Sequence, residues 1–176
     1  MERPIVNTYW VEPGRLLAGQ YPGVSPEKAR KKIRALIDGG ITTFIDLTHP
    51  DDRLDPYEPH LLEHAPDAPL RPSRLHHPIP DVSIPEHPDQ MHAILDAIEE
   101  ALVSGRGTYV HCWGGVGRTG TVVGCYLVRK GLSGIDAVSR VQELWMTCER
   151  YPHHPQSPET RAQHDYILNW KQWEGR

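Results

Sequence analysis

Short β-branched runs alternate along this chain with stretches whose apolar positions recur every three or four residues. Residues 15–23, RLLAGQYPG, are an apolar run stopped by turn residues and predict a strand. Ser25 follows as an N-cap, Pro26 sits at the first helical position, and Gly39 and Gly40 act as a stop. ITTFIDL, residues 41–47, predicts a buried strand. A long proline-rich loop comes next, with one short helix near residues 58–65 and a weaker strand at 74–80. From Pro88 to Ser104, the positions Met91, Leu95, Ile98 and Leu102 make one helix face, closed by Gly105.

TYVHC, residues 108–112, predicts a further strand, and residues 117–131 are apolar nearly all round, the pattern of a buried helix. Residues 133–145 open with a Ser-x-x-Asp pattern and place Ile135, Val138, Val141 and Trp145 on one face. A last helix is predicted over 157–173, with Ile167, Trp170 and Trp173 as its stripe. The fold class is therefore α/β: a central, mostly parallel (mixed) sheet of about four or five strands flanked by helices. The loop HCWGGVGRTG, residues 111–120, joins the end of a central strand to the start of the buried helix. Ligands gather at that edge of open α/β sheets.

Composition narrows the class. The 176 residues suit one domain, 1–176, able to bury a core without disulfide or metal staples. A net charge of −4, from 19 basic and 23 acidic residues, excludes a nucleic-acid surface or a basic membrane patch as the expected role. Three cysteines give no disulfide framework, and the N-terminal residues lack the layout of a signal peptide. No apolar run reaches membrane-spanning length, so a cytoplasmic protein with free thiols is expected. Nothing in the pattern speaks to oligomeric state.

Three readings compete for the glycine-rich loop: a plain strand-to-helix turn with an inert cysteine, a nucleotide-binding phosphate loop, and a nucleophilic phosphate-ester site. The second needs a lysine where Arg118 stands. The third uses every unusual residue. Gly114, Gly115 and Gly117, with Trp113 and Val116 between them, let successive backbone N–H groups turn inward as an anion nest. The helix beginning near Arg118 adds its positive N-terminal dipole, and the guanidinium offers a two-pronged grip on phosphoryl oxygens. Cys112 lies in that field, which favours a thiolate nucleophile. Thr119 is placed to donate to the thiolate, and His111 to steady the loop through its backbone.

The full stretch His-Cys-x-x-Gly-x-x-Arg-Thr-Gly resembles the catalytic motif of the Cys-based protein tyrosine phosphatases, and the chain looks like their dual-specificity branch. The resemblance implies a cysteinyl-phosphate mechanism without cofactor or metal, acting on phosphoproteins. It also implies a general-acid aspartate on a separate loop before the cysteine, and PIPDVSIPEHP matches that loop at Asp81. A turn aspartate capping the next helix is the bland alternative there. Asp46 reads as structural, whereas Asp51, Asp52 and Asp55 read as solvated loop residues, with bordering the cleft and recognising substrate as the alternative. SPETRAQHDY resembles in part a stretch in which other tyrosine phosphatases orient the hydrolytic water, with Glu159 first and Gln163 second. Either Gln163 faces the site or it lies on a helix surface.

The loop carries no lysine, which favours phosphotyrosine, with phosphoserine and phosphothreonine in reach, over polyphosphorylated inositols. A phosphoinositide or other small phosphomonoester phosphatase of the same mechanism is the alternative, as is a phosphopeptide-binding module without turnover. The pairs His76–His77 and His153–His154 lack a second pair at metal-ligand spacing, so no metal site is expected. Cys125 and Cys148 read as core residues on helix faces, with a protective disulfide to Cys112 as a further option for Cys125.

Overall fold

The computed structural model describes residues 1–23, 25–64 and 70–174. Five strands, β1 (Thr8–Glu12), β2 (Leu16–Gly19), β3 (Ile41–Asp46), β4 (Ser73–His76) and β5 (Gly107–His111), form one sheet in the order β1-β2-β5-β3-β4. β1 and β2 pair antiparallel, while the other three pairings are parallel. The expected α/β class with a mixed, mostly parallel sheet is what the chain adopts. β5 lies in the centre, so the loop after it opens on the middle of the sheet edge.

Among the described residues six α-helices cover the sheet: α1 (Pro26–Asp38), α2 (Glu58–His64), α3 (Pro88–Val103), α4 (Gly117–Arg129), α5 (Gly134–Trp145) and α6 (Arg161–Asn169). The pleat of β5 divides them. Tyr109 packs with Phe44, Leu17 and the buried face of α1, while Val110 and Cys112 join Ile45, Leu16 and the apolar faces of α3, α4 and α6. α4 is buried over almost its whole length, as its composition requires. Gly124 allows it to touch α6, because a Cβ there would lie 2.3 Å from Ile167 Cδ1. Gly124→Ala is expected to destabilise the fold in a urea titration, since overpacking of about 1–3 kcal/mol outweighs the ~1 kcal/mol of helix propensity that alanine adds.

Four local expectations need correction. β1 was not anticipated from TYWVE, whose strand signal sits between turn residues. Ile135 is 72% exposed, and the face of α5 that packs inward is Ala137, Val141, Leu144 and Trp145. The last helix begins at Arg161, because Thr160 and Gln163 form a reciprocal capping box there, and Trp170–Gln172 tighten into a 3-10 turn. Cys148 is buried in the turn after α5 instead of on a helix. Ala65, the last residue of the expected short helix, lies outside the described residues. Among the described residues no helix is long and apolar enough to cross a membrane.

Candidate active site

Residues 112–116 carry the chain from the end of β5 to the first turn of α4. Gly115 makes the bend, with φ +79, and a Cβ there would strike the Gly19 carbonyl carbon at 2.5 Å. The loop is fastened from behind: the Ser157 hydroxyl donates to the Val116 carbonyl at 2.8 Å, and the Tyr21 N–H donates to the Trp113 carbonyl at 2.9 Å. Gly115 N–H points to Cys112 Sγ at 3.3 Å. An N–H donor on the sulfur stabilises negative charge there.

A pocket of about 80 Å³ opens over Cys112, Trp113, Gly114, Val116, Gly117 and Arg118, and Asp81, Arg150, His154 and Glu159 complete its walls. Cys112, Arg118 and the loop glycines, from one stretch of chain, are thus brought together with Asp81 from another. Arg118 is buried, and its Nη2 donates to Asp81 Oδ1 at 2.8 Å. Its Nη1 donates to Asp52 Oδ2 at 2.7 Å and to the Ile79 carbonyl at 3.0 Å. Burial opposes the Arg118 charge, but Cys112, Asp52 and Asp81 outweigh it and raise its pKa.

Asp52 departs from the expectation of a solvated loop residue. Asp51 and Asp55 are exposed, whereas the Asp52 side chain is only 7% exposed against Arg118. It closes a short 3-10 turn, Pro50–Asp52, where it also accepts from the His49 N–H at 3.0 Å. The Asp81 side chain is half exposed at the mouth, beside Val82 with its left-handed backbone.

The remaining named residues fall around this centre. His111 is fully buried, with Nε2 2.8 Å from the Tyr57 hydroxyl and Nδ1 3.8 Å from Asp46 Oδ1. Burial lowers its pKa despite the nearby carboxylate, so the ring is held neutral. Asp46 is buried in turn: burial would raise its pKa, but His111, Thr48 and Arg74 together bring it below the usual range. The Thr119 hydroxyl points to the Gly19 carbonyl at 3.4 Å, and no bond joins it to the thiol.

Gln163 is neither on a helix surface nor in the pocket wall. It is buried behind the loop against Gly117, accepts from the Glu159 and Thr160 N–H groups, and donates to the Ser83 carbonyl at 2.9 Å. Glu159 takes the place in the pocket instead. Trp113, expected among the loop residues around the phosphoryl group, stands 58% exposed on the rim. All three cysteines are free; burial pushes the Cys148 thiol up to about 11 and also raises Cys125 well above its ordinary value. Among the described residues no group of three or more His, Cys, Asp or Glu is placed to hold a metal ion.

The chain resembles a putative tyrosine phosphatase of Invertebrate iridescent virus 3, at 26% identity over 79% of this chain and 53% of that protein. An uncharacterised protein of Methanocaldococcus jannaschii is 32% identical over 59% of this chain and 63% of its own length. The match thus spans between half and two thirds of these curated relatives. The crystal structure of Tk-PTP in its active form superposes with a TM-score of 0.71 at 24% identity, covering 94% of this chain and 97% of the other, which shows a shared fold. A family model described as "PTP-SAK: Swiss Army Knife protein, DSP-PTPase phosphatase domain" matches residues 6–166. The chain belongs to that family of dual-specificity-type phosphatase domains.

Proposed function

We propose that residues 1–176 form one catalytic domain, a Cys-dependent phosphoric monoester hydrolase that removes phosphate from phosphotyrosine and, more slowly, from phosphoserine and phosphothreonine in proteins. The observation that carries this reading is the convergence of Cys112, Arg118 and Asp81 on one small pocket, with the Gly115 N–H directed at the sulfur. The pocket has a volume of about 80 Å³. That accommodates a phosphoryl group and leaves the rest of the substrate at the mouth.

In the proposed reaction the Cys112 thiolate attacks phosphorus in line, and the bond from phosphorus to the ester oxygen breaks. Asp81 gives its proton to the departing phenolate or alkoxide. The equatorial oxygens rest on the loop N–H groups and on Arg118, whose Nη2 exchanges Asp81 for the phosphoryl dianion when substrate binds. Water then attacks the cysteinyl-phosphate and passes a proton to Asp81. The sulfur–phosphorus bond breaks and inorganic phosphate leaves. His111 acts on the loop as a neutral, fixed ring, and Thr119 and Gln163 support it by packing and capping.

Hydrolysis of p-nitrophenyl phosphate in the presence of a chelator tests the class, and a phosphopeptide panel set against phosphoinositides tests the substrate. Asp81→Asn is expected to lower kcat by about 10²–10⁴-fold for alkyl phosphates. The loss should be smaller for p-nitrophenyl phosphate, whose leaving group needs less protonation. A rate near wild type on both substrates would remove Asp81 from the acid role.

Asp52→Asn is expected to reduce kcat/KM by about tenfold or more, because the guanidinium loses the charged partner that fixes its Nη1. Weaker inhibition by inorganic phosphate at unchanged thermal stability separates this positioning role from a purely structural one.

A further inference from the structure

A second cleft, of about 300 Å³, opens beside α3 on the sheet face that this helix covers. α3 packs over β3 and β5 and leaves the same face of the edge strand β4 largely open, so Leu75 is 38% exposed there. Thr43 and Ser73 stand side by side in register on that face, with Ile45 and Leu75 next along it. Ala97, Glu100 and Ala101 form the facing wall, one stripe of α3 at three- and four-residue spacing. Arg106 joins the lining from the turn before β5. The cleft thus lies towards the end of the sheet opposite to the catalytic loop, since Arg106 precedes β5 and Cys112 follows it.

Three polar groups in this lining lack the partners their chemistry asks for. Thr43 is 2% exposed, and its hydroxyl has no hydrogen-bond partner among the described residues. A buried hydroxyl in that state carries its desolvation cost uncompensated. Because threonine is branched at Cβ, one rotamer step exchanges its methyl and hydroxyl positions and turns the hydroxyl to the cleft. The Glu100 carboxylate has no hydrogen-bond or ion-pair partner among the described residues. Arg106 uses only Nη1, which donates to the Arg71 carbonyl at 3.1 Å. The acid and the cation share one cleft and do not pair with each other. Opposite charges held apart beside an apolar wall match a ligand that carries both charges and a hydrocarbon part.

We propose that this cleft binds a small aliphatic zwitterion, a free amino acid. Its carboxylate meets the free edge of the Arg106 guanidinium, and its ammonium meets Glu100. Its side chain rests on Leu75, Ala97 and Ala101, and the Thr43 hydroxyl gains the partner it lacks. A simple anion would leave Glu100 unanswered, and a simple amine would leave Arg106 so; the zwitterion answers both. No part of this assignment passes through Cys112, so the site stands or falls independently of the catalytic reading.

Calorimetric titration of the wild-type chain with L-leucine, L-isoleucine, L-valine and L-methionine tests the site without requiring turnover. At least one of the four is expected to bind with Kd below about 1 mM. The amide of that amino acid lacks the carboxylate, and its deamino analogue lacks the ammonium. Each should bind at least about tenfold more weakly than the parent. Glu100→Gln should remove the discrimination against the deamino analogue alone, and Arg106→Gln the discrimination against the amide alone. A purely structural role for either side chain would not produce that exchange. Thr43→Val should weaken binding at least about threefold and leave the melting temperature of the free protein at or above wild type, since it deletes an unpartnered hydroxyl.

Absence of binding by all four amino acids at ~10 mM would overturn the proposal. Equal affinity for the parent and both analogues, or discrimination that survives both charge substitutions, would do the same. A melting temperature lowered by Thr43→Val with affinity unchanged would show that the hydroxyl is already bonded within the protein, and would also overturn it.

Discussion

Cys112→Ser is expected to abolish phosphomonoester hydrolysis, by about 10⁴-fold or more, while the protein still folds and binds phosphopeptides. The serine oxygen is nearly isosteric with the sulfur, so the glycine bend and the bonds that fasten the loop remain in place. What disappears is the nucleophile. A hydroxyl in this field stays protonated at neutral pH, and the adjacent His111 is not available to take its proton, being buried on the other face of β5 and committed to Tyr57. Steady-state assays with and without EDTA, beside a thermal melt, check the result. Activity that survives the substitution, or that vanishes in wild-type enzyme with EDTA, would contradict a thiolate mechanism.

Arg118→Lys should cost about 10³–10⁵-fold in kcat/KM, although the charge is conserved. The guanidinium does two things at once. Nη1 is fixed by Asp52 and the Ile79 carbonyl, and Nη2 faces the pocket, where Asp81 now sits. A lysine ammonium reaches one of these partners and leaves the other buried and unpaired. A compensating Asp52→Asn in the lysine background should recover little, because the planar two-pronged contact to the phosphoryl oxygens is what is missing. Kinetics on p-nitrophenyl phosphate and the inhibition constant for inorganic phosphate read both effects. A loss below about tenfold would mean that the loop amides carry the phosphoryl charge without the arginine.

Much of this architecture was legible in the chain because the relevant signals are local. Apolar periodicity marks α3 and α4, Ser25-Pro26 marks the start of α1, and the glycines of residues 111–120 explain their own bend once an anion occupies it. The cysteine and arginine share one loop, so their meeting is dictated by a few residues. Asp81 was found through the resemblance of its proline-flanked loop, since its distance in sequence says nothing about its contact with Arg118.

The features that sequence reasoning missed depend on long-range packing. Asp52 looks like any carboxylate on a polar loop, and its burial is created by Arg118, 66 positions further on. The sequence leaves Gln163 between a surface and the site, yet its amide is consumed by a capping box and by the Ser83 carbonyl, 80 positions away. Ile135 fits the apolar stripe of α5 by spacing, but that end of the helix projects past the core.

The central claim is a phosphorus–sulfur bond at Cys112. Rapid acid quenching of the wild-type enzyme during p-nitrophenyl phosphate turnover, followed by peptide mass mapping, tests it most directly. The peptide containing Cys112 should carry one phosphoryl group, in a fraction that rises when Asp81→Asn slows hydrolysis of the intermediate. The label should be absent from Cys112→Ser and should not appear on Cys125 or Cys148. Continued turnover with no phosphoryl group on Cys112, or with the label on another residue, would contradict the account.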